Sequence, residues 1–235
     1  MSEPFAGAVI VAAGRGERFG DRGKVLSVAA GRPLLAWSLD AMLGAMSIGE
    51  IVVVCGEHTH QDISYLLDGR AADIPIQTCI GGEQRQDSVR AGLACLSRSV
   101  EVAVIHDAAR PLATPEMTDD VATTARIHGA AITAVPVTDT IKEVDGDRIV
   151  RTVPREVLQA AQTPQAFRLD ALLRAMSDTE TAFTDEAGVL EQAGNPVLVR
   201  PGSHANIKVT VPEDLLLVDA LLRARITQGD QHVSS

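Results

Sequence analysis

A glycine-rich loop with basic residues is the first segment whose residue types are suited to holding a phosphate group. It runs from Ala12 to Gly20 with the sequence AAGRGERFG, directly after a short apolar run, and Lys24 follows it. Glycines let backbone N–H groups approach phosphate oxygens closely, and Arg18 and Lys24 would add positive charge. Taken alone, the segment is also compatible with a glycine-rich turn that carries solvated basic residues.

The spacing in this loop differs from that of two common phosphate-binding loops. Gly14, Gly16 and Gly20 are spaced one residue wider than the G-x-G-x-x-G pattern of dinucleotide-binding proteins. Lys24 is followed by Val25 and not by the Ser or Thr of a P-loop. We therefore predict that the loop holds the triphosphate of a free nucleotide through backbone and cationic contacts.

A second polar cluster, GGEQRQDS, occupies Gly81 to Ser88. Its two glycines would let a base approach the main chain, and main-chain groups with the Ser88 hydroxyl could hydrogen-bond the edge of a pyrimidine. The alternative is a turn in which a polar residue caps the following helix.

A third cluster, HDAARP at His106–Pro111, follows a buried strand. Open α/β sheets place ligands at the carboxyl edge of the strands, where Asp107 is suited to hold Mg²⁺ or a sugar hydroxyl. Arg110 is suited to pair with phosphate in a bidentate manner. The alternative is an Asp–Arg ion pair that braces the loop.

Lys208 forms the fourth candidate position, shortly before a helix that begins near Pro212. A single lysine there is more typical of solvated surface, and only its place in the set of four clusters makes it a candidate. His58 and His60 have a His-x-His spacing without a matching Cys or acidic cluster. We interpret them as surface or capping residues in a loop.

The elements that position these clusters are short apolar runs alternating with helical patterns, which predicts right-handed βαβ units. The fold class is therefore a single α/β domain over residues 1–235, with a Rossmann-like, mostly parallel sheet and helices on both faces. Its predicted strands are Ala8–Ala12, Ile51–Cys55, Ile74–Cys79, Val102–His106, Ala131–Val137 and Val197–Arg200. The predicted helices are Pro33–Met46, Gln86–Leu96, Pro115–His128, Leu169–Met176, Asp185–Ala193 and Pro212–Arg225, followed by a frayed polar tail.

Residues 138–155 break this alternation. Two β-prone arms flank Asp145-Gly146, which is a strong hairpin signal. Both arms are charged and contain little to bury, and an isolated hairpin is marginally stable in water. We predict a protruding β-hairpin that packs on a second subunit.

Composition limits the partners. The formal net charge of −10, from 21 Lys+Arg against 31 Asp+Glu, argues against non-specific binding to nucleic acid or to anionic membranes. No apolar run approaches the length of a membrane span, so a soluble, cytoplasmic protein is expected. The odd, widely spaced Cys55, Cys79 and Cys95 favour buried thiols in a reducing compartment over disulfides or zinc.

Seven motifs in chain order, taken together, resemble the cytidylyltransferases of the non-mevalonate isoprenoid pathway. They lie at residues 14–24, 81–89, 106–111, 136–142, 163–167, 184–187 and 206–215. The resemblance implies transfer of CMP from CTP to 2-C-methyl-D-erythritol 4-phosphate, with Mg²⁺ as cofactor and a homodimer whose arms are swapped. Two departures are Gly23 before Lys24, where many relatives have proline, and Ala205, where some carry an acid.

The same resemblance implies the roles of individual residues. Arg18, Lys24 and Lys208 would be catalytic through their contacts with phosphates, and Asp107 is a candidate metal ligand. The nucleotide would contact Ala12, Ala13, Gly14, Gly16, Gly81, Gly82, Arg85, Ser88 and Asp107. The methylerythritol phosphate would contact Asp107, Arg110, Thr140, Arg155 and Thr184, with Thr140 and Arg155 serving the neighbouring subunit.

Other functions stay open on the sequence alone. A CDP-ribitol pyrophosphorylase or a molybdopterin guanylyltransferase would share the first loop but use another acceptor or base. A nicotinamide-dependent oxidoreductase is disfavoured by the glycine spacing. A nucleotide-binding regulator without catalytic activity is the fourth possibility, and it would release no pyrophosphate.

Overall fold

The computed structural model describes residues 3–14, 16, 19, 23–68, 70–177 and 183–233. Its strands are β1 (Ala6–Ala12), β2 (Val28–Ala29), β3 (Arg32–Pro33), β4 (Ile48–Cys55), β5 (Ile76–Ile80), β6 (Val102–Asp107), β7 (Ala130–Pro136), β8 (Ile141–Asp145), β9 (Arg148–Val153), β10 (Gln159–Arg168) and β11 (Leu198–Pro201). Its helices are α1 (Leu34–Leu43), α2 (His60–Asp68), α3 (Arg85–Cys95), α4 (Pro115–His128), α5 (Leu169–Ser177), α6 (Glu186–Gln192) and α7 (Pro212–Val233).

The centre of the fold is a seven-stranded sheet in the order β11-β7-β10-β6-β1-β4-β5. Strand pairs β1–β4, β1–β6, β4–β5 and β7–β11 are parallel, whereas β10 is antiparallel to both of its neighbours. The predicted α/β class with a mostly parallel sheet is therefore confirmed.

The central strands are buried on both faces, which explains why their sequences lack polar alternation. Along β4, Val53 packs into one hydrophobic cluster and Val52 into another on the opposite face. The first cluster includes side chains of α1, α2 and α4, and the second includes side chains of α3, α5 and α6. In α7, Val218 and Leu222 pack in a third cluster, together with Leu34 of α1.

Strand β10 is absent from the elements predicted from sequence, although it lies near the middle of the sheet. Its segment contains Gln162, Thr163 and Gln165, all buried, and a proline at 164. Proline and polar side chains are unusual in a central strand. A register shift between Ala161 and Gln165 in the pairing with β7 accommodates this segment.

Helix α2 is a second correction, because residues around His60 were expected to form a loop. Helix α2 is nine residues long, and Ile63 is its one buried side chain. The predicted frayed tail is also wrong in part, since α7 extends past Arg225 to Val233.

Residues 138–155, called the arm below, contain the predicted hairpin. Strands β8 and β9 pair with each other in a two-stranded sheet that is separate from the central one. Gly146 in the turn has φ 55, a left-handed conformation that glycine adopts without strain. Val144, Ile149 and Val150 are each more than half exposed, so the arm buries little within its own chain.

The structure also describes the state of the three cysteines and the apolar character of the helices. Cys55, Cys79 and Cys95 are free thiols. Burial, with a smaller contribution from a neighbouring cysteine, raises the pKa of both Cys55 and Cys79 to about 12. Among the described residues, none of the helices has the length and apolar character needed to cross a bilayer.

Candidate active site

A cleft of about 1370 Å³ opens at the carboxyl ends of β1, β4, β5 and β6. Parallel strands place the loops that follow them at the same edge of a sheet, where α/β proteins bind ligands. Residues from all four sequence clusters line it: Gly14 and Lys24, Gly81 to Arg85 and Ser88, Asp107 and Ala109, and Lys208.

The glycines of the first loop have two different tasks. Gly14 lines the cleft, and a Cβ built on it would meet nothing within 4 Å, so its backbone faces open space. Gly16 has φ 58, and a Cβ there would lie 2.7 Å from the backbone nitrogen of Lys24. Gly16 thus lets the loop return onto Lys24. It is not among the residues that line the cleft.

The other predicted residues of this loop differ in how far the structure describes them. Ala13 lines the cleft, whereas Ala12 is the last residue of β1 and only 1% exposed. Arg18, which the resemblance makes catalytic, lies outside the described residues.

The second cluster closes tightly around its two glycines. A Cβ on Gly81 would lie 2.5 Å from the Ser88 hydroxyl oxygen and 2.6 Å from the Ala13 side chain. Helix α3 begins with a capping box in which Gln84 and Asp87 exchange hydrogen bonds with each other's backbone N–H. The capping interpretation therefore holds for Gln84 and Asp87, while Gly81, Gly82, Arg85 and Ser88 face the cleft.

Asp107 lies between two cations at the end of β6. Its Oδ2 is 2.7 Å from the Lys208 ammonium nitrogen, and its Oδ1 accepts a hydrogen bond of 3.3 Å from Arg85 Nε. Burial would raise the pKa of Asp107, but Lys208 and then Arg85 outweigh it and hold the pKa below its ordinary value. The carboxylate is therefore ionised across the physiological range.

Arg85 is shared between two carboxylates. Its Nη1 donates to both oxygens of Glu186, at 2.7 and 2.9 Å, while its Nε donates to Asp107. Glu186 is only 2% exposed, and burial raises its pKa against the opposing effect of Arg85. Glu186, Arg85, Asp107 and Lys208, called the charge chain below, alternate in sign from behind the cleft to its lining.

The Arg110 guanidinium donates to backbone carbonyl oxygens, which differs from the Asp–Arg ion pair considered as the alternative. Its Nη1 donates to the Asn206 carbonyl oxygen at 2.7 Å, and its Nη2 to that of Ala161 at 3.4 Å. Val209 N also donates to the Ala109 carbonyl at 2.8 Å. Arg110 thus fastens the segment that carries Lys208 to the end of β6. The cations paired with Asp107 are Lys208 and Arg85.

A buried polar layer supports Asp107 from below. The Thr163 hydroxyl accepts from Asp107 N at 3.0 Å and lies 3.1 Å from His106 Nδ1. Burial lowers the pKa of His106 to about 4, so this imidazole is neutral at physiological pH. Asn206 Nδ2 donates to the Thr163 carbonyl at 2.9 Å, which connects the layer to the Lys208 segment.

Of the five residues that the resemblance assigns to the acceptor, Asp107 lines the cleft, whereas Arg110, Thr140, Arg155 and Thr184 are not among its lining residues. Thr140 and Arg155 are exposed at the base of the arm, where Arg155 donates a hydrogen bond to the Thr138 carbonyl. Thr184 is exposed in the turn before α6. The cleft of one chain is therefore lined by most of the residues assigned to the nucleotide, but by Asp107 alone of the set assigned to the acceptor.

Several residues of the cleft were not found by sequence reasoning. Glu57 and His58 line it from the turn after β4, although His58 was interpreted as a surface or capping residue. His60 instead begins α2, with Nε2 at 3.1 Å from the Thr78 hydroxyl. Glu186 belongs to the quoted motif at 184–187, yet nothing in its sequence context indicated its partner, which lies 101 residues away.

The described residues offer little to hold a resident metal ion. No group of three or more His, Cys, Asp and Glu side chains with suitable geometry occurs within them. Both oxygens of Asp107 are already paired with cations. Multivalent cations in proteins prefer several oxygen ligands, so a metal here would depend on oxygen atoms supplied by the substrate.

Comparison with known proteins agrees with this geometry. The family model described as 2-C-methyl-D-erythritol 4-phosphate cytidylyltransferase matches residues 6–224. A protein of that name from Frankia casuarinae is 42% identical over 233 residues, covering 98% of this chain and 85% of the relative. One from Parasynechococcus marenigrum is 43% identical over 222 residues, covering 92% of this chain and 97% of the relative.

Solved structures agree as well. A 4-diphosphocytidyl-2C-methyl-D-erythritol synthase from Anaerococcus prevotii superposes with a TM-score of 0.83 at 29% identity, covering 94% of this chain and all of that one. A 2-C-methyl-D-erythritol 4-phosphate cytidylyltransferase from Thermus thermophilus gives 0.75 at 29% identity, covering 92% and 98%.

A mostly parallel sheet whose carboxyl edge gathers a glycine-rich loop and lysines from two distant segments defines a nucleotidyltransferase of the α/β class. The motifs in order, the family match over most of the chain and relatives above 40% identity then specify which one. The chain belongs to the 2-C-methyl-D-erythritol 4-phosphate cytidylyltransferase family.

Proposed function

We propose that this protein transfers CMP from CTP to 2-C-methyl-D-erythritol 4-phosphate, releasing pyrophosphate, in the non-mevalonate route to isoprenoid precursors. The observation that carries the proposal is the convergence of Lys24 and Lys208 on one cleft with Gly14, Gly81 and Gly82. Two cations and exposed backbone suit a bound nucleotide. Membership of the family indicates that the nucleotide is CTP and the acceptor is 2-C-methyl-D-erythritol 4-phosphate.

The reaction is an in-line displacement at phosphorus. A phosphate oxygen of the acceptor forms a new P–O bond with the α-phosphorus of CTP, while the bond from that phosphorus to the α,β-bridging oxygen breaks. The electron pair leaves with pyrophosphate. The attacking oxygen is ionised at neutral pH, so catalysis depends on positioning and charge neutralisation and not on a strong base.

Lys24 and Lys208 would neutralise the negative charge of the two substrates. Bringing two polyanions together in a partly desolvated cleft costs several kcal/mol, roughly 4 per close charge pair. An ammonium group has three N–H donors, and Asp107 takes one from Lys208, so the others can serve a phosphate. The charge chain therefore orients Lys208 without exhausting it. Lys24 and Arg18 would hold the triphosphate from the first loop.

Magnesium belongs to the proposal as part of the nucleotide substrate. Mg²⁺ characteristically binds through phosphate oxygens and a few carboxylates, and it would reduce the charge of the triphosphate. Asp107 stays the proposed protein ligand. To serve as one, it would have to share an oxygen that Lys208 or Arg85 now occupies.

The acceptor would be bound by two chains. Asp107 and Arg110 lie at the end of β6 and Thr184 before α6, while Thr140 and Arg155 lie on the arm. Exposed apolar residues on the arm favour burial against a second copy, which would bring Thr140 and Arg155 to the neighbouring cleft. A cytoplasmic homodimer is the assembly we propose, and the free thiols are in keeping with a reducing compartment.

A pyrophosphate-release assay with CTP, Mg²⁺ and methylerythritol phosphate tests this function. We expect release that depends on both substrates and stops when either is left out. GTP or ATP in place of CTP, and ribitol phosphate in place of methylerythritol phosphate, should give far less. Faster release with ribitol phosphate or with GTP would assign the chain to another nucleotidyltransferase reaction. Binding of CTP without any release would leave only a regulatory role.

A further inference from the structure

Glu186 differs from the other members of the charge chain in its position. Arg85, Asp107 and Lys208 all line the cleft, whereas Glu186 does not. It is 2% exposed at the start of α6, behind Arg85. Asp185, directly before it, caps the helix by accepting from Gly188 N at 3.1 Å, so the backbone at this point is fixed.

The contacts of Arg85 leave one nitrogen available. Glu186 takes Nη1 through two hydrogen bonds, and Asp107 takes Nε. In the part of the chain that the structure describes, neither carboxylate takes Nη2. Because a guanidinium is planar and its donors have fixed directions, fixing two nitrogens also fixes the third.

An energetic argument indicates that this pair serves geometry more than stability. Burying an ion pair costs desolvation that its attraction seldom more than repays. Burial also raises the pKa of Glu186, because the same desolvation disfavours its charged form. An exposed arginine at the start of α3 would not need a buried carboxylate behind it. We therefore attribute the Arg85–Glu186 pair to the orientation that it gives the Arg85 guanidinium.

We infer that Glu186 is a positioning residue for nucleotide binding: it holds the Arg85 guanidinium in one orientation, so that Nη2 meets an oxygen atom of the bound nucleotide. This inference rests on the proposed function of the cleft. It predicts that Glu186 acts only through Arg85 and affects the nucleotide more than the acceptor.

The first test is the kinetics of Glu186→Gln, which keeps the size of the side chain and removes its charge. The KM for CTP should rise about tenfold, because apparent affinity falls with the fraction of molecules whose Arg85 is correctly oriented. The kcat and the KM for the acceptor should change by less than about threefold, as expected for lost ground-state binding. Glu191→Gln, an exposed glutamate on the same helix, is the matched control and should behave as wild type.

The second test is a double-mutant cycle. In an Arg85→Lys background, Glu186→Gln should change the KM for CTP by less than about twofold, since the group it positions is gone. Additive effects would overturn the inference. So would a Glu186→Gln enzyme with an unchanged KM for CTP and a lowered melting temperature, because that result would describe a purely structural residue.

The third test needs no turnover. In protein labelled with ¹⁵N-arginine, the Arg85 signal, assigned by its loss in Arg85→Lys, should show slow rotation about the Cζ–Nε bond in wild type and fast rotation in Glu186→Gln. Equal rotation in both would overturn the inference even in an active enzyme. A wild type that shows the ordered Arg85 but transfers no CMP would instead overturn the proposed function. Glu186→Asp, whose carboxylate is withdrawn by one methylene, should give intermediate rotation and an intermediate KM.

Discussion

Two Arg–Glu ion pairs, one behind the cleft and one on the arm, lie in opposite environments. Behind the cleft, the side chains of Arg85 and Glu186 are 27% and 3% exposed. On the arm, those of Arg151 and Glu143 are 66% and 48% exposed. A buried pair restricts geometry at a cost in desolvation, whereas an exposed pair contributes little. The nucleotide side of the site thus contains a buried ion pair within one chain, whereas the pair on the arm is solvated.

Apolar side chains beneath the cleft and on the arm also differ in burial. Side chains beneath the cleft, such as Val54 and Val89, are fully buried, whereas Val144 and Ile149 on the arm are each 58% exposed. A two-stranded hairpin with solvent on both faces has little to stabilise it. The cleft is thus completed by folding of one chain, whereas the proposed role of the arm requires association with a second copy.

The largest expected effect would test the cleft half of this comparison. Lys24→Ala and Lys208→Ala should each lower kcat/KM at least about 100-fold, or ~2.7 kcal/mol, because each removes a cation that offsets charge in the transition state. Steady-state pyrophosphate release measures it. Arg174→Ala, which removes an exposed cation on α5, is the control. Near-wild-type turnover in either lysine variant would remove that lysine from the mechanism.

A second experiment tests whether the arm serves the site of a neighbouring subunit. Arg155→Ala should raise the KM for the acceptor strongly, and alone each of Arg155→Ala and Lys24→Ala should be nearly inactive. Mixed in equal amounts and allowed to exchange, they should recover about a quarter of the wild-type rate, since half of the dimers are hybrid and each has one intact site. Absence of recovery in mixtures with verified subunit exchange would contradict the swapped arm.

A third, smaller effect concerns the pH dependence of stability in the cleft. Because Lys208 and Arg85 hold the folded pKa of Asp107 below its unfolded value, its contribution is complete above about pH 5 and is lost as the pH falls toward the folded pKa. Between pH 5 and 3, Asp107→Asn should therefore lose about 1 kcal/mol less free energy of unfolding than wild type. Urea unfolding at each pH measures this difference, and parallel pH profiles for the two proteins would contradict it.

The smallest effect is expected on the arm. Glu143→Gln should change the free energy of unfolding by less than about 0.5 kcal/mol, because its partner Arg151 is solvated and can pair with water. Urea unfolding at neutral pH checks this value. A loss comparable with that of a buried pair would mean that the arm is already packed in the unliganded protein.

The fold was largely predictable from sequence where burial dictated the pattern. Runs such as Ile51–Cys55 are apolar on both faces, so parallel strands follow directly from composition. Strand β10 was missed because Gln162, Thr163 and Gln165 are polar, and their burial is compensated by hydrogen bonds to distant segments. Local sequence contains no sign of partners that only the fold supplies.

The residues of the site likewise fall into those that the sequence predicts and those that it does not. Gly81 directly follows β5 and Asp107 ends β6, and their position at the carboxyl edge of the sheet predicts that they meet. Arg110 was assigned to the acceptor through the resemblance, yet its bonds to Asn206 and Ala161 show a second task in holding the Lys208 segment. Pairings between segments far apart in sequence, such as Arg85 with Glu186, cannot be deduced from spacing.

The place where the arm joins the sheet has a consequence for how this protein can change over time. Strand β7 leads into the arm and β10 leads out of it, and these two strands are antiparallel neighbours with Pro136 opposite Gln159. The whole excursion is therefore an insertion at the tip of one hairpin. A change in the length or surface of the arm therefore need not alter the order of the seven-stranded sheet, so the proposed subunit contact can vary independently of the nucleotide chemistry.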